Sequence, residues 1–139
     1  MDLLVFNVSV LNEAAPSTIS MDVMVNEFKI NVASALVCAQ KVIPYMTARK
    51  SGKIFLTGGG LALKPYYQFV SLGVGKAAMR NLSVSLAQEL KPHGIHVATV
   101  TINGMIELGT HFDPEKIAEE YWRLYQQPAG KQEVEIIYE

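Results

Sequence analysis

Four short apolar runs, kept apart by three stretches of helical length, constrain this chain more than any other feature of its sequence. The runs are Leu3-Leu4-Val5-Phe6, Lys53-Ile54-Phe55-Leu56-Thr57, Ile95-His96-Val97-Ala98-Thr99-Val100-Thr101-Ile102 and Glu133-Val134-Glu135-Ile136-Ile137-Tyr138. Strands joined through helices need crossover connections, which make neighbouring strands parallel and the winding right-handed. The expected class is therefore α/β, a parallel sheet between two helical layers. Leu3 to Phe6 reads as a strand buried on both faces, as parallel strands are. The last run begins with polar and apolar residues in alternation, the pattern of a partly exposed edge.

The helices carry their own punctuation. Ser20 is a plausible N-cap, with Asp22 in the first turn, and the helix it opens runs to about Met46 with a bend near Pro44. Val32 to Ala39 is apolar nearly all round, so this helix is expected to be covered on more than one face. Ser51-Gly52 is a turn, and Gly58-Gly59-Gly60 stops the second strand. The next helix spans about Val70 to Leu90 and ends at Pro92 and Gly94. Asp113-Pro114 pairs a cap with a first-turn proline and opens a helix to about Tyr125.

A length of 139 residues, with no repeat, linker or low-complexity tract, fits one domain over 1–139. Half the residues are apolar and only 18% are charged, a lean surface that suggests part of it is covered by something else. A net charge of −1 offers no electrostatic case for nucleic acid or an acidic membrane. The apolar start is too short to span a bilayer, and Asp2 stands where a signal peptide carries a base. Cys38 has no partner for a disulfide, which fits a reducing cytoplasm.

Several residues then resemble a known pattern. Asn7-Val8-Ser9 closes the first strand, Asn31 lies in the first helix, and Thr57-Gly58-Gly59-Gly60 closes the second strand. Lys76 stands one turn into the second helix, and Asn103-Gly104 closes the third strand. With the run Gly75 to Leu90 and Gly94-Ile95-His96-Val97, these resemble, in order, the second half of a short-chain dehydrogenase/reductase. The resemblance implies a partial Rossmann-like fold, a three-layer α/β/α arrangement with strand order 1-2-3-4. It implies NAD or NADP as cofactor, with Asn7, Lys76, Asn103, Gly104 and Thr110 at its nicotinamide end. It also implies Lys76 and Asn31 as the family's catalytic positions. Two departures accompany it. The family's Tyr-x-x-x-Lys has Leu72 in place of the Tyr, and the family's Ser falls on Gly59 or Gly60. No G-x-G-x-x-G, the phosphate cradle of dinucleotide folds, occurs in the chain.

Residues four apart share a helix face, where an ammonium lowers the pKa of a neighbouring phenol and favours proton transfer. Leu72 has no proton to give. Lys76 alone can bind a hydroxyl or an anion, or simply be solvated. Asn31 can hold a water or support a kink in its helix, and Tyr66 and Tyr67 fall too early in the chain for the helix site. Ser71 points about 100° away from position 72. His93, His96 and His111 lack the tight spacing of metal ligands, so no metal site is expected. Cys38 reads as a packed thiol, and Tyr121, Trp122 and Tyr125 as a helix-packing cluster. The expected function is that of an oxidoreductase-family member, weak or inactive as this chain. The alternatives are a non-catalytic ligand-binding or assembly module, or a fragment whose nucleotide-binding half lies elsewhere. A homo-oligomer, dimer or tetramer, is expected through the helices 20–46 and 70–90.

Overall fold

The computed structural model describes residues 1–139. Four strands, β1 (Leu3–Phe6), β2 (Gly52–Gly59), β3 (Ile95–Ile102) and β4 (Glu135–Tyr138), form one sheet in the order β1-β2-β3-β4, all pairs parallel. Helices α1 (Met21–Phe28) and α2 (Ser34–Arg49) connect β1 to β2; α3 (Val70–Leu90) connects β2 to β3, and α4 (Pro114–Gln126) connects β3 to β4.

Alternation along the strands divides the core in two. Ile54, Leu56 and Val97 face Ala35, Ala39, Met46, Met79 and Leu90 of α2 and α3. Phe55, Ala98, Val100 and Ile102 face Ile117 and Leu124 of α4 on the opposite side. The three-layer α/β/α arrangement is therefore as the sequence implied. No helix is long and apolar enough to cross a membrane.

The caps match their sequence signals. Ser20 accepts from the Val23 amide at 3.2 Å, and Asp113 accepts from the Glu115 amide at 2.9 Å. Gly94, after a 3-10 turn at Lys91–His93, holds φ +75, and a Cβ there would meet the Lys50 carbonyl oxygen at 2.3 Å.

Four local expectations are corrected. β1, at the edge of the sheet, is not buried on both faces, since Val5 is 43% exposed. The glycines do not stop β2, which runs through Gly58 and Gly59 in register with Thr101 and Ile102. β4 begins at Glu135 rather than Glu133. The long first helix is interrupted not at Pro44, which sits inside α2, but by a π-helical segment at Lys29–Ala33. Its outer face is also open, with Val37 exposed.

Candidate active-site cleft

The C-terminal ends of parallel strands are where α/β sheets bind ligands, and here they open into a cleft of about 380 Å³. Each wall has a separate origin. β1 ends into Asn7 and Ser9; β2 supplies Thr57 and Gly58-Gly59-Gly60; α3 supplies Leu72 and Lys76; β3 ends into Ile102, Gly104 and Ile106.

Lys76 is the only charged group in this lining. Its Nζ donates to the Thr57 carbonyl oxygen at 2.8 Å, and it takes no part in any of the four ion pairs of the chain. Burial pushes its pKa below the usual lysine value. Gly59 lies alongside its stem: a Cβ at Gly59 would stand 3.4 Å from Cγ, Cδ and Cε of Lys76. Leu72, one turn earlier on α3, lines the same cleft.

Asn31 stands behind the cleft. Its carboxamide clasps the backbone of Val10, accepting from the Val10 amide at 2.7 Å and donating to the Val10 carbonyl at 3.2 Å. The π-helical segment presents it, and Gly75 lets α3 come close, since a Cβ at Gly75 would be 3.2 Å from the Asn31 Cβ. The segment from β1 to α1 is thus tied to the helix layer next to Lys76.

The structure brings Asn7, Lys76 and Gly104 together and leaves the other expected positions aside. The Asn103 side chain donates to Glu139 Oε2 at 3.1 Å, and the Thr110 hydroxyl donates to the Glu107 carbonyl within its own loop. Tyr66 and Tyr67 are exposed outside the cleft, and Ser71 is buried away from it. No three of His, Cys, Asp and Glu gather as metal ligands.

Sequence reasoning missed Tyr121. Its hydroxyl lies 2.6 Å from Thr57 Oγ1, so Thr57 engages Lys76 through its carbonyl and Tyr121 through its side chain. Burial raises the Tyr121 pKa while the Thr57 hydrogen bond acts to lower it, leaving a phenol that is a poorer acid than usual. Nothing in a one-dimensional pattern links residues so far apart; the aromatic cluster on α4 was the one available signal.

The family model for short-chain dehydrogenases matches residues 1–118. The chain belongs to the short-chain dehydrogenase family. An uncharacterized oxidoreductase of Listeria monocytogenes is 30% identical over 101 residues, 73% of this chain and 41% of that protein. A short-chain dehydrogenase from Rhodopseudomonas palustris superposes with a TM-score of 0.84 at 27% identity, covering 97% of this chain and 60% of that one. A metagenomic short-chain oxidoreductase in complex with NADP superposes with a TM-score of 0.86 at 22% identity. The chain thus spans less than two thirds of the length of these short-chain dehydrogenases. Family members bind NAD or NADP, and the cleft lining can be set against that requirement. It offers one cation, one carboxamide and two hydroxyls, those of Ser9 and Thr57, and no second basic group for a pyrophosphate. These residues suit a fragment the size of a ribose or nicotinamide and do not fit a complete dinucleotide.

Proposed function

We propose that this chain keeps the ligand cleft of a short-chain dehydrogenase and, by itself, does not carry out hydride transfer. One observation carries the reading: Leu72, an alkyl side chain, occupies the cleft wall one turn before Lys76, where the family resemblance calls for the proton-donating Tyr. Gly59 or Gly60, where the resemblance places the Ser, likewise gives the cleft no hydroxyl at that position. General acid catalysis typically contributes about 10²–10⁴-fold. Its group is replaced here, and the lining is too sparse in donors to position a whole cofactor. Tyr121 does not make good the loss, because its raised pKa favours keeping the proton.

What remains is a site at which Lys76 and Asn7 can orient one polar group, with Gly104 at its rim and Asn31 holding the wall in place. NAD or NADP binding by this chain alone is expected to be weak or absent. The assay is oxidation of NADPH with a panel of ketones and aldehydes, alongside calorimetric titration of NADP. No turnover and no micromolar binding are expected; turnover that disappears in Lys76→Ala would overturn the proposal. We further propose a homo-oligomer through the α1–α2 and α3 helices, in a reducing compartment where Cys38 stays free. A second reading, that another polypeptide segment completes the cofactor site, draws on the unpaired outer edge of β1. It predicts NADP binding only after that segment is added.

A further inference from the structure

The cleft at Lys76 does not stand alone. Asn7, Ile102 and Ile106 form a shared wall, and on its other side lies a second lobe of about 290 Å³. That lobe is apolar, lined by Val5, Pro114, Ile117 and Ala118, with the ring of Tyr121 at one side. The two lobes differ in chemistry. The first has a half-buried ammonium with one neutral carbonyl as its partner and two donor positions to spare, since an ammonium carries three. Asn7 and Ser9, in the same lining, make no side-chain hydrogen bond within the chain. Neither lobe contains an Asp or Glu. A half-buried ammonium with no counter-charge and free donors is suited to pair with an anion that enters the cleft. The three glycines Gly58-Gly59-Gly60 keep the floor beside it free of side chains.

We propose that the two lobes together bind an apolar carboxylic acid, with its carboxylate at Lys76, Asn7 and Ser9 and its hydrocarbon part in the lobe under α4. The ligand class rests on the reading of this cleft as a retained ligand site. A charge-assisted pair to the ammonium fixes the head, and burial of alkyl surface against Ile117 and Val5 holds the tail. Length enters as a selector, because a short acid reaches the first lobe only.

Octanoate, octanol, acetate and inorganic phosphate, each titrated into the full chain with calorimetry and amide NMR, separate the contributions. Octanoate is expected to bind, with shifts at Asn7, Ile106 and Ala118. Octanol and acetate are each expected to bind about tenfold or more weakly, since each lacks one half of the interaction. Lys76→Met is expected to weaken octanoate by about 10- to 100-fold and leave octanol unchanged. Asn7→Asp, at an exposed position, sets a carboxylate beside the head and is expected to weaken octanoate likewise. Octanoate binding that ignores both substitutions, equal binding of octanol, preference for phosphate, or no octanoate binding would each overturn the proposal. These outcomes are distinct from dehydrogenase turnover, which would overturn the proposed inactivity and leave the carboxylate site standing.

Discussion

Adjacent glycines in β2 have opposite tolerances. A Cβ at Gly58 would meet Thr101 Oγ1 at 2.6 Å, Thr99 Cγ2 at 2.7 Å and the Thr101 Cα at 3.0 Å, where backbone cannot yield. Gly58→Ala is expected to cost about 1–3 kcal/mol, read as a fall in denaturation midpoint. Gly59→Ser meets only the flexible stem of Lys76 at 3.4 Å and is expected to stay within about 0.5 kcal/mol of wild type. His96 makes a second prediction at this scale. Its ring is buried on β3, edge-on to Phe55, with Nε2 against the Glu133 carbonyl at 2.7 Å. Burial, opposed by that hydrogen bond, holds its pKa below 6.5. As pH falls through 6.5 the unfolded chain takes up this proton first, so His96 contributes stability above that pH and withdraws it below. Urea midpoints at pH 7.5 and 5.5 are expected to differ more for wild type than for His96→Gln; equal differences would remove His96 from the explanation.

Among the elements, the α3–β4 contact depends on one ion pair. Arg80 grips Glu135 with Nε at 2.8 Å from Oε1 and Nη2 at 2.8 Å from Oε2, and the same carboxylate accepts from Thr101 Oγ1 at 2.7 Å. The Arg80 hydrogen bond is the main reason the Glu135 pKa lies below 4.5, with burial opposing it. Stability from this pair is present above pH 4.5 and lost as pH falls through the folded-state value. Arg80→Ala is therefore expected to cost roughly 1 kcal/mol at neutral pH, with solvent screening limiting the effect, and to approach wild type once pH falls below the folded-state Glu135 pKa. How legible these elements were depends on what marks them. α3 is bounded by Pro92 and Gly94 and its range followed from them; Ser20 and Asp113 announced their helices through side chains that can cap only there. The extension of β2 through Gly58 and Gly59 was hidden because glycine has no side chain to alternate. A kink at Asn31 could be read from the sequence, but the π-helical form of Lys29–Ala33 could not, because the contacts around it are tertiary: the clasp of Asn31 on Val10 and the close approach of Gly75. In the cleft, Lys76, Asn7 and Gly104 could be read from their order along the chain, whereas the Thr57–Tyr121 bond joins strand β2 to helix α4, 64 residues further along the chain.

For the whole molecule, the open surfaces decide behaviour in solution. Val23, Val37 and Tyr45 on the α1–α2 layer and Val74 and Val84 on α3 are exposed, and Val5 faces solvent at the sheet edge. Such surfaces are typical of faces that another chain covers. Light scattering after size exclusion at low micromolar concentration is expected to give a multiple of 15.3 kDa, and Val37→Glu is expected to shift it toward the single chain without loss of helical signal. A monodisperse, folded species at the chain mass would defeat the assembly proposal. The parallel order of the sheet reaches further still, into synthesis. Leu3 pairs with Lys53 and Phe6 with Leu56, so β1 leaves the ribosome about fifty residues ahead of the strand it needs. At roughly 5–20 residues per second that is a wait of about 3–10 s, during which the apolar Leu3–Phe6 segment has yet to meet the β2 backbone it pairs with.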